Sequence, residues 1–223
     1  MKYSDFLNLL TARAESDFAD FQRKLIFTKY EILGVRTPTL HKIAKEYARD
    51  FEDIFSFPNE YYEVVAIKLF QAALLPYDAF IKHLADCVSL MDNWALCDGF
   101  KGKCIKANKE EFLPVLQRLF AGGGEYEQRY PLVVLLTEYV EPKYLTTIRR
   151  FIEQADTSRY YVHMAVAWLM AEILVKEYDV GLALLKANIT DAKTRNKAIQ
   201  KAIESYRLTN EQKEFLRSLK IRK

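Results

Sequence analysis

The stretch "RTPTLHKIAKEYARDF", residues 36–51, carries the signal on which the fold reading turns. Thr37 can cap a helix by accepting a hydrogen bond from a backbone N–H. Pro38 suits the first helical position, where its missing N–H would have no partner anyway. Leu40, Ile43, Ala44 and Tyr47 then recur at the spacing that puts them on one helical face. The pattern returns in "NEYYEVVAIKLFQAALL" (59–75), stopped by Pro76, and in "YDAFIKHLADCVSLM" (77–91). "DNWALCDGF" (92–100) opens a further segment read as helical to about Ala107. "KEEFLPVLQRLFA" (109–121) ends in three glycines, and "PKYLTTIRRFIEQA" and "SRYYVHMAVAWLMAEILVKEY" follow. "VGLALLKANI", "DAKTRNKAIQKAIESYRL" and "NEQKEFLRSLK" complete a series of about a dozen helices.

No stretch alternates with the period of two that a strand requires. Glycine (7) and proline (6) are too scarce in 223 residues for a turn-rich β fold. The expectation is an all-α chain in one domain, 1–223. Short links favour antiparallel helix pairs, and a string of pairs makes a solenoid with a period of roughly 35–45 residues. Periodicity alone leaves an irregular compact helical domain open.

Composition narrows the function classes. Half the residues are hydrophobic and 28% are charged, as in ordinary soluble proteins. The longest apolar run, "MAVAWLM", is far too short to span a bilayer, and the N-terminus reads as no signal peptide. Cys87, Cys97 and Cys104 match no common zinc spacing and read as reduced, packed thiols of a cytoplasmic protein. No metal and no organic cofactor is expected. Charge is uneven. Residues 193–223 hold ten Lys/Arg and three Glu, a net +7, which leaves −4 for the first 192. A basic end on a mildly acidic body points to a polyanion. Lys193, Lys197 and Lys201 form one stripe at four-residue steps, opposite Ala198, Ile199, Ala202 and Ile203. Such a stripe suits phosphate contact without base readout, and it equally suits a solvated face. Residues 220–223 read as a frayed tail.

Both tryptophans fall off the main apolar stripes. On a helical wheel Leu96, Cys97, Phe100 and Cys104 cluster on one side, while Trp94, Asp98, Lys101 and Ile105 gather on another. Val162, Val166, Leu169, Met170 and Ile173 make the second stripe. Trp168 lies off it with Tyr161, Met164 and Glu172. Periodicity alone favours a second packing layer for the two rings over a ligand site.

Four segments occur in order: "ILGVRTPTLHKIAKEY", "NWALCD", "QRYPLVVLL" and "YYVHMAVAWLMAE". Together they resemble the AlkD-like DNA alkylation repair proteins, glycosylases built from HEAT-like repeats, from about Phe18 to Tyr206. The resemblance implies a superhelical solenoid with a concave, basic cleft that grips duplex DNA by its backbone. It implies Asp98 as the catalytic carboxylate, Trp94 and Trp168 as the cleft tryptophans, and Arg129 as a phosphate-binding arginine. The lesion would be processed without a base-binding pocket, by a monomer, on alkylated duplex.

The residue types suit that chemistry. Alkylation at N3 or N7 of a purine makes the base cationic and already a good leaving group. Positive charge then develops on the deoxyribose, where a carboxylate can stabilise it and orient or deprotonate water. Indole faces attract cations. Three positions depart from the active pattern: Asn93 where an aromatic is common, Ala95 where an acid is common, and Leu25 where a tyrosine is common, with Tyr30 nearby. The alternatives are a member of the same family that binds DNA without excision, and a helical scaffold for a protein partner.

Overall fold

The computed structural model describes residues 1–221 and is all-α, with fourteen α-helices and no strand among them. The chain forms two compact units, residues 1–108 and 109–223. Unit 1 contains α1 (Tyr3–Thr11), α2 (Ser16–Leu25), α3 (Thr37–Glu46), α4 (Phe51–Ser56), α5 (Tyr62–Ala72), α6 (Tyr77–Ser89) and α7 (Trp94–Gly99). Unit 2 contains α8 (Lys109–Ala121), α9 (Glu125–Glu138), α10 (Leu145–Gln154), α11 (Tyr160–Lys176), α12 (Tyr178–Lys186), α13 (Ala192–Ile203) and α14 (Asn210–Ser218).

The odd-numbered helices stack on one another within each unit. In unit 1, α5 packs on α3 and α7, with α4 and α6 against it. In unit 2, α11 lies between α9 and α13, while α8, α12 and α14 each cover a neighbour in that row. Helices two apart in sequence form one layer and their intervening partners cover it, as in HEAT-like repeats. The inner position explains the sequences of α5, α9 and α11. Every residue of α5 is buried, including Glu63, Lys68 and Gln71. A helix covered on all sides has no reason to be amphipathic.

Two buried charged groups in α5 are bonded, as burial demands. The Glu63 carboxylate accepts from the backbone N–H groups of Leu33, Gly34 and Val35 at 3.0, 2.7 and 3.2 Å. That clamp shapes the turn leading into α3. Gly34 has φ +97°, and a Cβ there would stand 2.3 Å from the Glu15 carbonyl oxygen, so only glycine is accommodated. Lys68 donates to the Phe57 carbonyl and to Asn59 Oδ1. Burial brings its pKa down to about 8.

Three local expectations need correction. The α3 helix begins at Thr37 itself, with Arg36 in the capping position and no side-chain cap bond; Pro38 holds the first turn as expected. The helix that begins at Trp94 stops at Gly99 instead of running to Ala107. Phe100 leaves helical geometry at φ −84°, ψ 84°, and a short 3-10 turn, Ile105–Ala107, follows. A Cβ on Gly102 would lie 2.6 Å from the Phe80 ring, so the chain must bend tightly against α6. The wheel therefore fails past Phe100: Ile105 is buried, and Cys104 is only partly covered. Finally, α9 is a helix that the sequence series passed over. It is buried along most of its length and carries Pro131 in its interior, so it shows no one-sided stripe.

The lysine-bearing α13 is fixed at its start by Asp191. Its carboxylate accepts from the Thr194 amide at 2.9 Å and the Thr194 hydroxyl at 2.5 Å. The hydroxyl has one proton and donates it to Asp191, so His163 Nδ1, 2.7 Å away on α11, must be the donor to the hydroxyl oxygen. Burial alone would raise the Asp191 pKa, but bonds from Thr194, Thr157 and the Lys193 amide outweigh it and bring the value down to about 2. A folded pKa below the unfolded one stabilises at all pH above about 4, and that contribution fades as pH falls toward 2. Asp191→Ala should cost about 1 kcal/mol at pH 7. Denaturant unfolding of both proteins across the acid range checks this: the difference should shrink as pH approaches 2.

Candidate nucleic-acid interface

All seven residues singled out from sequence lie on inner, odd-numbered helices. Trp94 and Asp98 are on α7 in unit 1. Arg129 is on α9, Trp168 on α11, and Lys193, Lys197 and Lys201 on α13, all in unit 2.

The placement of α7 rests on the two residues before Trp94. Asn93 is fully buried and caps the helix, its Oδ1 accepting from the Ala95 and Leu96 amides at 3.0 and 3.1 Å. Its Nδ2 donates to Asp92 at 2.7 Å. The Asp92 carboxylate also accepts from the Thr28 hydroxyl at 2.9–3.0 Å and from the Lys29 amide at 2.7 Å. The segment after α2 is thereby stapled to the start of α7. Leu96, Cys97 and Phe100 enter the core, as the wheel expects for that part of the helix. Gly99 lets α7 approach the Phe70 ring of α5 closely; a Cβ there would stand only 3.2 Å from the ring. What remains outward is the opposite face. Trp94 keeps 38% of its surface exposed, and its Nε1 makes a long, 3.5 Å bond to the Leu25 carbonyl. Asp98 follows one turn later and is partly exposed.

Leu25 and Tyr30, the positions near which a tyrosine is expected, have separate fates. Leu25 projects into solvent at the end of α2. Tyr30 is buried and its hydroxyl donates to the Leu90 carbonyl at 2.7 Å. Burial, with the nearby Asp92 charge, pushes its pKa up to about 12. It is a structural phenol.

In unit 2 the exposed edge of α11 is a single stripe: Tyr161, Met164, Trp168 and Glu172 are open or half-open, and Val162, Val166, Leu169, Met170 and Ile173 are buried. Trp168 has the same 38% exposure as Trp94. The Lys201 ammonium sits over its ring at 5.7 Å from the centroid, so α13 and α11 do bring two candidate residues together. They line an open cavity of about 260 Å³ with Glu172, Ser205 and Arg207. Glu172 stands one turn after Trp168, repeating the Trp94–Asp98 spacing. Its carboxylate is committed: Arg207 donates to both oxygens at 3.1 and 2.7 Å, and Lys176 approaches at 3.3 Å. Burial would raise its pKa, but these cations outweigh burial and hold it below the ordinary value.

Arg129 is not a surface arginine. It is 4% exposed, donates to the Tyr161 carbonyl at 2.8 Å, and lies 5.7 Å from the Tyr161 ring centroid. On α13, Ala198, Ile199 and Ala202 pack inward and Ile203 is half-covered, while Lys193 is exposed and Lys197 and Lys201 are partly so. Other basic residues near the C-terminus serve the fold. Arg195 is buried against the Leu185 and Leu219 carbonyls. Lys220 donates to Gln200, and the Ile221 backbone pairs with Asn196 at 2.8–2.9 Å. The first half of the expected frayed tail is therefore tied down; residues 222–223 lie outside the described residues.

The family described as DNA alkylation repair enzyme matches residues 7–206. The chain belongs to that family. No individual curated protein matches it. Among the described residues no helix is long and apolar enough to cross a membrane. Sequence reasoning placed Lys101 with Trp94 and Asp98 but overlooked Lys103 and Lys106; all three lysines are exposed in the acid-free segment directly after Asp98. The absence of any Asp or Glu between 99 and 109 was the available signal.

The capping geometry gives a direct test of what positions the pair. Asn93→Ala leaves the first amides of α7 without an acceptor and should cost about 1–2 kcal/mol in urea unfolding. In a Trp168→Phe background, the emission of Trp94 should shift red as α7 loosens.

Proposed function

We propose that this member of the family is a DNA glycosylase that hydrolyses the N-glycosidic bond of cationic N3- or N7-alkylated purines in duplex DNA. The observation that carries the reading is the Trp94–Asp98 pair, one turn apart on the outward face of an anchored helix, in a chain of a DNA alkylation repair family. The indole attracts the cationic base and sugar, and Asp98 lies where it can face the charge that develops as the bond breaks. The electrons of the C–N bond leave with the base and cancel its positive charge, so no acid is needed. Water then adds to C1′ of the deoxyribose cation and loses its proton to Asp98 or solvent. The products are a free alkylated base and an abasic site.

Trp168 would give the second aromatic contact, with Arg129 and the Lys193, Lys197 and Lys201 stripe acting on phosphates. Arg129 would act through its hold on the first turn of α11 as well as through charge. A second reading, binding without excision, is favoured by Leu25, an exposed aliphatic side chain where active relatives carry a tyrosine.

Incubating N-methylated duplex with the protein and measuring released base separates the two. Release is expected from the wild type. Asp98→Asn should slow it by about a hundredfold or more. Trp94→Ala and Trp168→Ala should each cost about 2- to 30-fold, the range of one cation–π contact. Salt-sensitive binding with no base released at long times would select the non-catalytic reading.

A further inference from the structure

Phe27 is held in water by the residues around it. Ile26 and Tyr30 on either side are buried, while the Phe27 ring is 83% exposed. The backbone there cannot swing to cover it. Thr28 and Lys29 are bonded to Asp92 at 2.7–3.0 Å, the Tyr30 hydroxyl is bonded to the Leu90 carbonyl at 2.7 Å, and Glu31 pairs with Tyr61 in an isolated bridge. Leu25, two residues earlier, also projects, and its carbonyl receives the Trp94 Nε1 bond. A large apolar ring kept exposed on so well anchored a segment has forgone the burial that ordinarily stabilises it.

Charge says what the ring meets. Arg23, Lys24 and Lys29 are exposed in the same stretch of chain, and Arg23 lines a cavity with Phe27; Asp92 is engaged with Thr28, Lys29 and Asn93, Asp20 is paired with Arg23, and Glu31 is the exposed carboxylate of that cavity. Apolar tips bordered by cations suit a polyanion that has apolar surface between its charges. The grooves of duplex DNA, lined by sugars and base edges, offer that combination, and phenylalanine is among the side chains that enter them.

We propose that Phe27, with Leu25 beside it, is a wedge that enters a groove of the duplex engaged by Trp94 and Asp98. The proposal rests on the reading that duplex DNA docks on the α7 face. The probe is a fluorescein-labelled duplex carrying one N7-methylguanine, titrated by anisotropy at several salt concentrations. Phe27→Ala should raise Kd by about tenfold. The slope of log K against log salt should not change, because an apolar contact releases no counterions. The unfolding midpoint should match wild type, since the ring is mostly solvated, and Phe27→Leu should recover most of the affinity. Unchanged Kd in Phe27→Ala overturns the wedge, and so does a loss of affinity accompanied by a shallower salt slope, which would mark a phosphate contact. If the wild type releases base while Phe27→Ala binds normally, only the wedge falls. If no base is released yet Phe27→Ala binds weakly, the wedge stands and the glycosylase reading falls. A wild type that binds no duplex at low salt removes both.

Discussion

A helix of six residues does not hold itself together in water, because forming its first turn fixes several residues for a single hydrogen bond. The α7 helix therefore exists only by tertiary support, and each support is visible. Asn93 satisfies its first amides, Asp92 ties its start to the segment after α2, Leu96 and Cys97 anchor its inner face, and Gly99 lets it approach Phe70. Everything that matters for the outward pair follows from this. Trp94 is the first residue after the cap and Asp98 the last but one of the helix, so both stand close to the contacts that hold its ends.

Unit 2 solves a different problem, the placement of many cations on a packed scaffold. The α11 helix has only one open stripe, because α9, α12 and α13 cover the rest. Charges next to that stripe are matched pairwise: Glu172 with Arg207 and Lys176, Asp191 with the Thr194 hydroxyl and amide. The Lys201 ammonium over Trp168 is the same economy applied to an aromatic face. Lys193, at the outer end of its stripe, stays exposed. The +7 of the C-terminal stretch thus overstates the charge that the surface offers, since Arg195 and Arg207 are engaged by the fold.

How legible was this in the sequence? Amphipathic helices such as α3 and α8 could be read directly, because water on one side imposes a 3.6-residue period. The inner helix α9 could not. The α9 helix lacks a polar face and contains Pro131, so neither period nor propensity announced it. The α7 wheel worked through Phe100 and failed at Ile105, because the bend at Gly102 is imposed by the Phe80 ring, an atom set remote in sequence. Among site residues, the off-stripe positions of Trp94 and Trp168 were visible, although periodicity alone favoured a second packing layer over the exposure both retain. The burial of Arg129 was not, since it depends on the Tyr161 carbonyl, 32 residues away. Asn93 looked like a lost aromatic in the family pattern. The structure gives it a positive role as the cap of α7.

These placements set a division of labour for the proposed reaction. A single indole contributes on the order of 0.5–2 kcal/mol toward a cation, too little to account for glycosidic hydrolysis. Rate must come from a carboxylate fixed before the charge appears, which costs no reorganisation when it does. The Asp92–Asn93 anchorage of α7 would supply that fixing for the proposed carboxylate. Of the two tryptophan–carboxylate pairs, the one on α11 has its carboxylate bound up by Arg207 and Lys176, which commits Glu172 to structure. On the proposed reading the chemistry falls to α7, and the two indoles, equally exposed, need not serve equal ends: Trp94 shares its turn with Asp98, the proposed catalytic carboxylate, whereas Trp168 shares its face with Lys201 and would act with the residues proposed to hold the DNA backbone.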